Sequence, residues 1–296
     1  MNHNEEYINK RIYKPVPLLS GIEEIRQDFE ERIEQGDTVY GIEILDDCVE
    51  TIRKGSVTFI IAAPNSGKSL FGQQIACNLA KQNKKVLICS CEMGAGLLME
   101  RQIKNLTGVG MKQLRDLYSS RRDTANNIMD SIIENENYTY LHNIEICETG
   151  GATVEDLIKM YDCFPEFEYI VVDYIQRIRG QGTEYEVITN AARELQTYAR
   201  RTGKKFIICS QANRQSNNDA STGKTKDGGR IRGKGSGSIE EDADVGVTLL
   251  SDNKPTGEKY LIVTLFKNRY GSKKDISYLY RLDDRLQLKL QQRGVC

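Results

Sequence analysis

Several features that would mark a common class of protein are missing from this sequence of 296 residues. The charges nearly balance, to a formal net charge of −1, so no overall basic field indicates a nucleic-acid partner, and such a partner would have to bind a local patch. No CxxC pair occurs, and the sequence has two histidines, His3 and His142, which argues against a zinc site. The apolar runs are too short to cross a bilayer, so we expect no association with a membrane.

Cysteine is present but scattered, with eight residues along the chain. Cys89, Cys91 and Cys209 fall in apolar runs, where cysteine behaves as a small buried hydrophobic residue. Because no leader-like segment precedes the chain, we expect reduced thiols and a cytoplasmic location.

Short β-branched apolar runs alternate with helical stretches from residue 55 onward. Unbroken apolar strands between helices predict a parallel sheet that is covered on both faces. The predicted strands are 57–62, 86–91, 144–147, 169–174 and 206–210, and the predicted helices are 69–82, 95–106, 111–119, 122–135, 153–162 and 186–201. A capping box at Thr183–Glu186 precedes the last helix. Three or four closely spaced strands within 245–290 predict antiparallel additions to the sheet.

The N-terminal segment differs from the rest. Residues 1–19 are polar, and a capping box at Ser20–Glu23 predicts a helix over 21–35 that Gly36 ends. We therefore divide the chain into an N-terminal extension, 1–36, and a larger domain, 37–296. The helix has a narrow apolar stripe, which packs either on its own domain or on a neighbouring one, and the pattern does not decide between them. The stripe consists of Ile22, Ile25, Phe29 and Ile33.

A phosphate-binding loop follows the first strand of the larger domain. The segment from Ala62 to Ser69 matches the pattern G-x-x-x-x-G-K-[ST] except for alanine at the first glycine. Backbone N–H groups of such a loop, with the N-terminus of the next helix, bind phosphate, and Gly67 allows a close approach. Lys68 can reach the β- and γ-phosphates, and Ser69 can bind Mg²⁺. The predicted nucleotide-binding residues are Ala63, Pro64, Asn65, Ser66, Gly67, Lys68, Ser69 and Leu70.

Three polar residues end other predicted strands. Asp173 stands where a nucleotide hydrolase holds Mg²⁺ through water, although an aspartate that caps a loop is the simpler alternative. Glu92 can act as a general base for water, and its alternative is a solvated surface glutamate. Gln211 can sense the γ-phosphate or can be an ordinary polar strand end. A second Gly-Lys-Thr, within 221–225, has no strand before it and indicates loop composition only.

Taken in chain order, these residues resemble the C-terminal motor domain of DnaB-like replicative helicases. The resemblance covers residues 36 to about 290, and its most specific parts are the last two of the following segments. They are Ala-x-Pro-x-x-Gly-Lys-Ser at 62–69, Cys-Glu-Met at 91–93, Val-Val-Asp-Tyr-Ile-Gln at 171–176, Ser-Gln-Ala-Asn-Arg at 210–214, Gly-Ser-Ile-Glu-Glu-Asp-Ala-Asp at 237–244 and Phe-Lys-Asn-Arg-Tyr-Gly at 266–271.

The resemblance implies an α/β fold of the RecA-like P-loop NTPase class, with a mainly parallel central sheet flanked by helices and antiparallel strands at the C-terminal end. It implies ATP and Mg²⁺ as cofactors, Glu92 as catalytic base, Asp173 and Ser69 at the metal, and Gln211 as the coupling residue. It also implies that Lys267 and Arg269 reach the γ-phosphate of a neighbouring subunit, Arg269 as an arginine finger, in a homo-oligomer, expected to be a hexameric ring.

The resemblance has departures. Ala63 stands where the family usually has arginine. Full-length members carry a separate helical N-terminal domain that contacts primase, and this chain has no room for one, which leaves coupling to primase or a helicase loader open. Helix 21–35 instead matches the family's linker helix, which docks on the adjacent motor domain. The implied setting is the cytoplasm of a bacterial or phage-infected cell.

Two loops are the candidates for DNA contact. Residues 212–238 are rich in glycine and basic side chains and follow Gln211, where the family places its DNA-contacting loop. Loop 175–186 follows Asp173. Both can track a phosphate backbone, or can be solvated loops without such a role. The predicted DNA-binding residues are Arg177, Arg179, Arg214, Arg230, Arg232 and Lys234.

The sequence thus predicts an ATP-driven replicative helicase that moves on single-stranded DNA as a ring and unwinds a fork. Two alternatives share the fold. One is a RecA-like recombinase or recombination mediator, which forms filaments on DNA. The other is a KaiC-like regulatory ATPase, which acts on proteins, and salt-sensitive DNA binding would argue against it.

Overall fold

A computed structural model describes residues 17–212, 241–253 and 257–294. The chain divides between Thr38 and Val39 into two compact units. This division lies two residues after the boundary that the sequence analysis places at 36/37. Among the described residues, no helix has the length and apolar character that crossing a membrane requires.

The first unit contains helix α1, Gly21–Gln35, which follows a 3₁₀ turn at Leu18–Ser20. The predicted capping box is wrong, because Ser20 itself has helical backbone angles, φ −66° and ψ −20°, and its hydroxyl donates to the Pro17 carbonyl (2.7 Å) instead of capping the helix. The apolar stripe of α1 is at least half exposed at each of its positions, Ile22, Ile25, Phe29 and Ile33.

The second unit is built on a nine-stranded sheet. In chain order the strands are β1 (Val57–Ala62), β2 (Val86–Ser90), β3 (Ile144–Glu148), β4 (Tyr169–Asp173), β5 (Lys205–Gln211), β6 (Val245–Asn253), β7 (Lys259–Asn268), β8 (Ile276–Leu282) and β9 (Leu288–Arg293). Their order across the sheet is β3-β2-β4-β5-β1-β6-β7-β8-β9. The first six strands pair in parallel, and β7 to β9 continue the sheet in antiparallel fashion. The predicted fold class is therefore confirmed.

The direction of β6 differs from the prediction. The sequence predicts β6 among the antiparallel additions, yet β6 pairs in parallel with β1. The reason is the length of the connection before β6. The chain between Gln211 and Val245 is long enough for a crossover, so that β6 begins at the same end of the sheet as the other parallel strands. The connections from β6 to β7, β7 to β8 and β8 to β9 are short, and short connections join antiparallel neighbours.

Helices cover both faces of the sheet, and the strands alternate between two apolar clusters. Ile60 of β1 belongs to the cluster under α2 (Glu43–Val49) and α3 (Lys68–Lys81), whereas Phe59 and Ile61 belong to the cluster under α7 (Val154–Cys163) and α8 (Glu184–Thr202). The predicted capping box at Thr183–Glu186 is present and begins α8. Helix α2, of seven residues, was not predicted. The helices are α2 (Glu43–Val49), α3 (Lys68–Lys81), α4 (Ala95–Thr107), α5 (Met111–Ser120), α6 (Arg122–Glu134), α7 (Val154–Cys163) and α8 (Glu184–Thr202).

A buried carboxylate fastens three strands near the start of β6. The Asp244 side chain is 3% exposed. One of its oxygens accepts a hydrogen bond from the Val57 backbone N–H (3.0 Å), and the other forms an ion pair with the Arg269 guanidinium (2.7 Å). The Arg269 backbone N–H also donates to the Asp244 carbonyl (2.8 Å). Asp244 therefore joins the start of β1 to the residue that follows β7.

Asp244→Ala is expected to lower the free energy of unfolding by about 2–4 kcal/mol, because it leaves a buried N–H and a guanidinium without their charged partner. Urea denaturation measures the change. The matched control is Arg200→Ala, which removes a longer contact to the same carboxylate (3.7 Å) from an Arg200 side chain that is 52% exposed. That control should cost about 0.5 kcal/mol or less. Equal losses in the two variants would contradict this role for Asp244.

Candidate functional site

The phosphate-binding loop connects the buried strand β1 to helix α3. Gly67 adopts a left-handed backbone (φ 83°), a conformation that side-chain-bearing residues rarely take, and its carbonyl accepts the first helical hydrogen bond from Phe71 N–H (2.9 Å). A cavity of about 790 Å³ opens above this turn. The predicted loop residues line it together, namely Ala63, Pro64, Asn65, Ser66, Gly67, Lys68, Ser69 and Leu70.

Lys68 is buried at the first turn of α3, where its side chain faces an aromatic ring. The residue is 9% exposed, and its Nζ lies 4.0 Å from the centre of the Tyr174 ring. A cation over an aromatic face is favourable, but it does not replace the three hydrogen-bond acceptors that an ammonium group can engage. The position is suited to a polyanion that enters the cavity.

Asp173 ends β4 next to this loop and is 5% exposed. Burial raises the pKa of Asp173 above its usual value, while the hydrogen bond with Ser69 and the charge of Lys68 act in the opposite direction. Its Oδ1 atom is buried without a hydrogen-bond partner among the residues that the structure describes. A buried carboxylate oxygen of this kind, beside a serine hydroxyl, fits a Mg²⁺ site, since oxygen ligands and bound water are what Mg²⁺ prefers.

Glu92 and Gln211 lie on the wall of the same cavity. Glu92 follows β2, and its carboxylate accepts a hydrogen bond from the Arg177 guanidinium (2.9 Å). Gln211 ends β5, where the Gln176 side chain binds both the N–H and the carbonyl of the Gln211 backbone. The Gln176 side-chain oxygen accepts from Gln211 N–H (3.0 Å), and its amide donates to the Gln211 carbonyl (3.2 Å). Four neighbouring strand ends thus bring Glu92, Gln211 and the candidate metal-binding residues Ser69 and Asp173 to one place.

The other predicted residues lie elsewhere. Arg269 is bound to Asp244 as described above and does not line the cavity, and Lys267 donates to the Glu241 carbonyl (2.8 Å). Arg179 is exposed, and its backbone N–H donates to the Ala152 carbonyl (2.9 Å). Four predicted DNA-binding residues fall outside the described residues, namely Arg214, Arg230, Arg232 and Lys234.

Sequence reasoning gave no role to Tyr174, Gln176 and Arg101, which lie at the site. Tyr174 and Gln176 stand within the segment 171–176 that carries the resemblance, so the signal was present but did not say what they contact. Arg101, on α4, lines the cavity, and its charge lowers the pKa of Asp173. No sequence signal distinguishes this arginine from the other charged residues of α4.

Comparison with known proteins agrees with this geometry. The model of the "DnaB-like helicase C terminal domain" family matches residues 39–284. A curated relative, a "Probable plasmid replicative DNA helicase" of Chlamydia trachomatis serovar L2, is 29% identical over 241 residues, which are 78% of this chain and 50% of that protein. This chain therefore spans about half the length of the curated relatives it matches.

Two solved structures share the fold. One is a helicase "ATPase Domain", with a TM-score of 0.70 at 21% identity over 92% of this chain and 99% of that chain. The other is a DnaB-like replicative helicase studied with primase, with a TM-score of 0.66 at 22% identity over 86% of this chain and 63% of that chain. Because the family model matches residues 39–284, which are most of its length, the chain belongs to the DnaB-like helicase C-terminal domain family.

Proposed function

We propose that this chain is the ATP-hydrolysing motor of a replicative DNA helicase, which moves along single-stranded DNA as a ring, expected to be a hexamer, and unwinds duplex at a fork. The observation that carries the proposal is that Lys68, Glu92 and Gln211 line one cavity at the ends of adjacent strands, while Asp173 ends β4 beside Ser69 of the same lining. Membership of the DnaB-like family supports the choice of DNA as the track.

The phosphate end of ATP would lie in the loop from Ala63 to Leu70. The backbone N–H groups and the N-terminus of α3 bind the phosphates, and Lys68 leaves the Tyr174 ring to meet the β- and γ-oxygens. Ser69 would hold Mg²⁺ directly, and Asp173 would hold it through water, which uses the carboxylate oxygen that has no partner among the described residues. When bound, Mg²⁺ neutralises part of the triphosphate charge.

Glu92 and Gln211 act at the γ-phosphate. Glu92 orients the attacking water and accepts its proton, a role for which its place on the cavity wall is suited. Gln211 donates to a γ-phosphate oxygen and loses that contact after hydrolysis. Because Gln176 holds the Gln211 backbone, a change at the Gln211 side chain would be passed to the end of β5 and the segment beyond it.

Arg269 supports the ring in this proposal. Its guanidinium is 42% exposed, and the five N–H donors of arginine leave some free after the contact with Asp244, so it can reach a γ-phosphate held by a neighbouring subunit. Lys267 would lie beside it. We extend the proposal to α1, whose exposed apolar stripe would be covered by the adjacent motor domain as a linker helix.

DNA would pass along Arg177, Arg179 and the basic segment 212–238, whose phosphate contacts do not depend on base sequence. The proposed contacts in that segment are Arg214, Arg230, Arg232 and Lys234. One structural neighbour was solved for its interactions with primase, which makes primase or a helicase loader a candidate partner of this chain.

Lys68→Ala is expected to reduce ATP hydrolysis stimulated by single-stranded DNA by about 100-fold or more, because it removes the cation that meets the developing phosphate charge. A phosphate-release assay with oligothymidylate measures the rate. The matched control is Lys81→Ala in the same helix, since Lys81 Nζ also lies over an aromatic ring, that of Tyr140 (5.0 Å), away from the loop. Hydrolysis that survives Lys68→Ala, or falls equally in both variants, would overturn the proposed active site.

Arg269→Ala and Glu92→Gln are each expected to be inactive alone and partly active when mixed. In a randomly mixed ring about a quarter of the interfaces would combine an intact Glu92 with an intact Arg269 from the neighbour. Hydrolysis is measured across mixing ratios after subunit exchange. If no ratio exceeds the sum of the separate variants, the arginine does not act across an interface.

A further inference from the structure

The proposed base is not free in this structure. The Glu92 carboxylate receives a hydrogen bond from Arg177 Nη2 at 2.9 Å, and the two side chains are 49% and 51% exposed. The pair bridges two elements, since Glu92 follows β2 and Arg177 lies in the 3₁₀ turn Ile175–Arg177 after β4. One residue of the pair lines the nucleotide cavity, and the other does not.

Tyr174 extends this contact to the phosphate-binding lysine. Its ring lies 5.5 Å from the Arg177 guanidinium and 4.0 Å from Lys68 Nζ. Burial raises the pKa of Tyr174 above its usual value, and the nearby Glu92 charge acts in the same direction while Arg177 acts in the opposite one. Glu92, Arg177 and Tyr174 therefore form one connected cluster, and Lys68 lies on the tyrosine face.

This cluster holds Glu92 in a geometry unsuited to its proposed task. A general base must direct a carboxylate oxygen at the water whose proton it accepts, at about 2.6–3.2 Å. A guanidinium that binds the carboxylate fixes its direction instead. Release therefore requires another anion for Arg177, and a phosphodiester is one that arginine binds in the same planar, two-point manner as a carboxylate.

We propose that Arg177 is a positioning residue that holds Glu92 away from the reacting water until a phosphate of single-stranded DNA takes its guanidinium. The inference rests on the proposed function, and it deepens that proposal by making one contact the link between DNA binding and hydrolysis. Arg177 would then serve as a DNA contact and as the restraint on the base, in turn.

The competition has a reciprocal consequence. If DNA weakens the contact between Arg177 and Glu92, then Glu92 weakens the binding of DNA by the same factor, because the two equilibria are linked. A residue that merely contributed to folding, or merely attracted DNA, would not produce this reciprocity. The pair is half exposed, so the expected factor is modest, about twofold to fivefold.

The first experiment measures steady-state ATP hydrolysis by the full chain without DNA and with saturating oligothymidylate. Arg177→Ala is expected to raise the DNA-free kcat about twofold to fivefold, with KM for ATP unchanged, and to lower the ratio of stimulated to DNA-free rates by the same factor. Arg177→Lys, which keeps the charge without the planar fork, should return the DNA-free kcat toward the wild-type value.

The matched control is Arg293→Ala. Elsewhere on the sheet, Arg293 likewise contacts a carboxylate and a tyrosine ring, those of Asp47 (3.0 Å) and Tyr278 (5.9 Å). Arg293→Ala should leave both rates as in the wild type. A DNA-free kcat in Arg177→Ala that equals or falls below the wild-type value would overturn the inference. A wild type that shows no DNA-stimulated hydrolysis would instead overturn the proposed function itself.

The second experiment measures binding of labelled oligothymidylate without nucleotide, so it does not depend on hydrolysis. Glu92→Gln is expected to bind about twofold to fivefold more tightly than the wild type, and the gain should vanish in the double variant Glu92→Gln with Arg177→Ala. A gain that persists in the double variant, or no gain in Glu92→Gln, would show that the two residues do not compete with DNA.

Discussion

Two opposite charges are buried at the carboxyl ends of the central parallel strands, and the need to pair them determines what the site can bind. Lys68 is 9% exposed and Asp173 is 5% exposed, and buried charges are costly unless they are paired or hydrogen-bonded. Here each has an incomplete partner, the Tyr174 ring for the lysine and the Ser69 hydroxyl for the aspartate. The parallel sheet and α3 hold both groups in place, and a triphosphate with its cation would satisfy both at once.

Another buried charge, that of Asp244, connects the two chain segments that carry the most specific family resemblance. Asp244 ends the first, Arg269 lies in the second, and their ion pair of 2.7 Å is anchored to β1 through the Val57 backbone. The proposed finger is therefore attached to the strand that leads into the phosphate-binding loop of its own subunit. In the proposed ring, a movement at one subunit's nucleotide would therefore have a direct route to the arginine that acts on the next subunit.

The architecture could be predicted from the sequence, and so could the grouping of Glu92, Asp173 and Gln211 near the loop at 62–69, because apolar strands, the loop and strand-end polar residues are local signals. The catalytic and binding roles of these residues stay predictions. The sequence could not predict the direction of β6, which depends on the length of a connection, or the failure of the Ser20 cap, which depends on the turn before it. The contact between Glu92 and Arg177 joins residues far apart in the chain, and the pattern of each residue alone suggested a different partner.

Calorimetric titration of ADP into the full chain decides whether Lys68 and Asp173 belong to a site for nucleotide with Mg²⁺. Mg²⁺ is expected to tighten ADP binding by the wild type by about 10-fold or more relative to EDTA, whereas Asp173→Asn should lose this gain while still binding ADP. An equal gain from Mg²⁺ in both proteins, or no ADP binding by the wild type, would contradict this assignment.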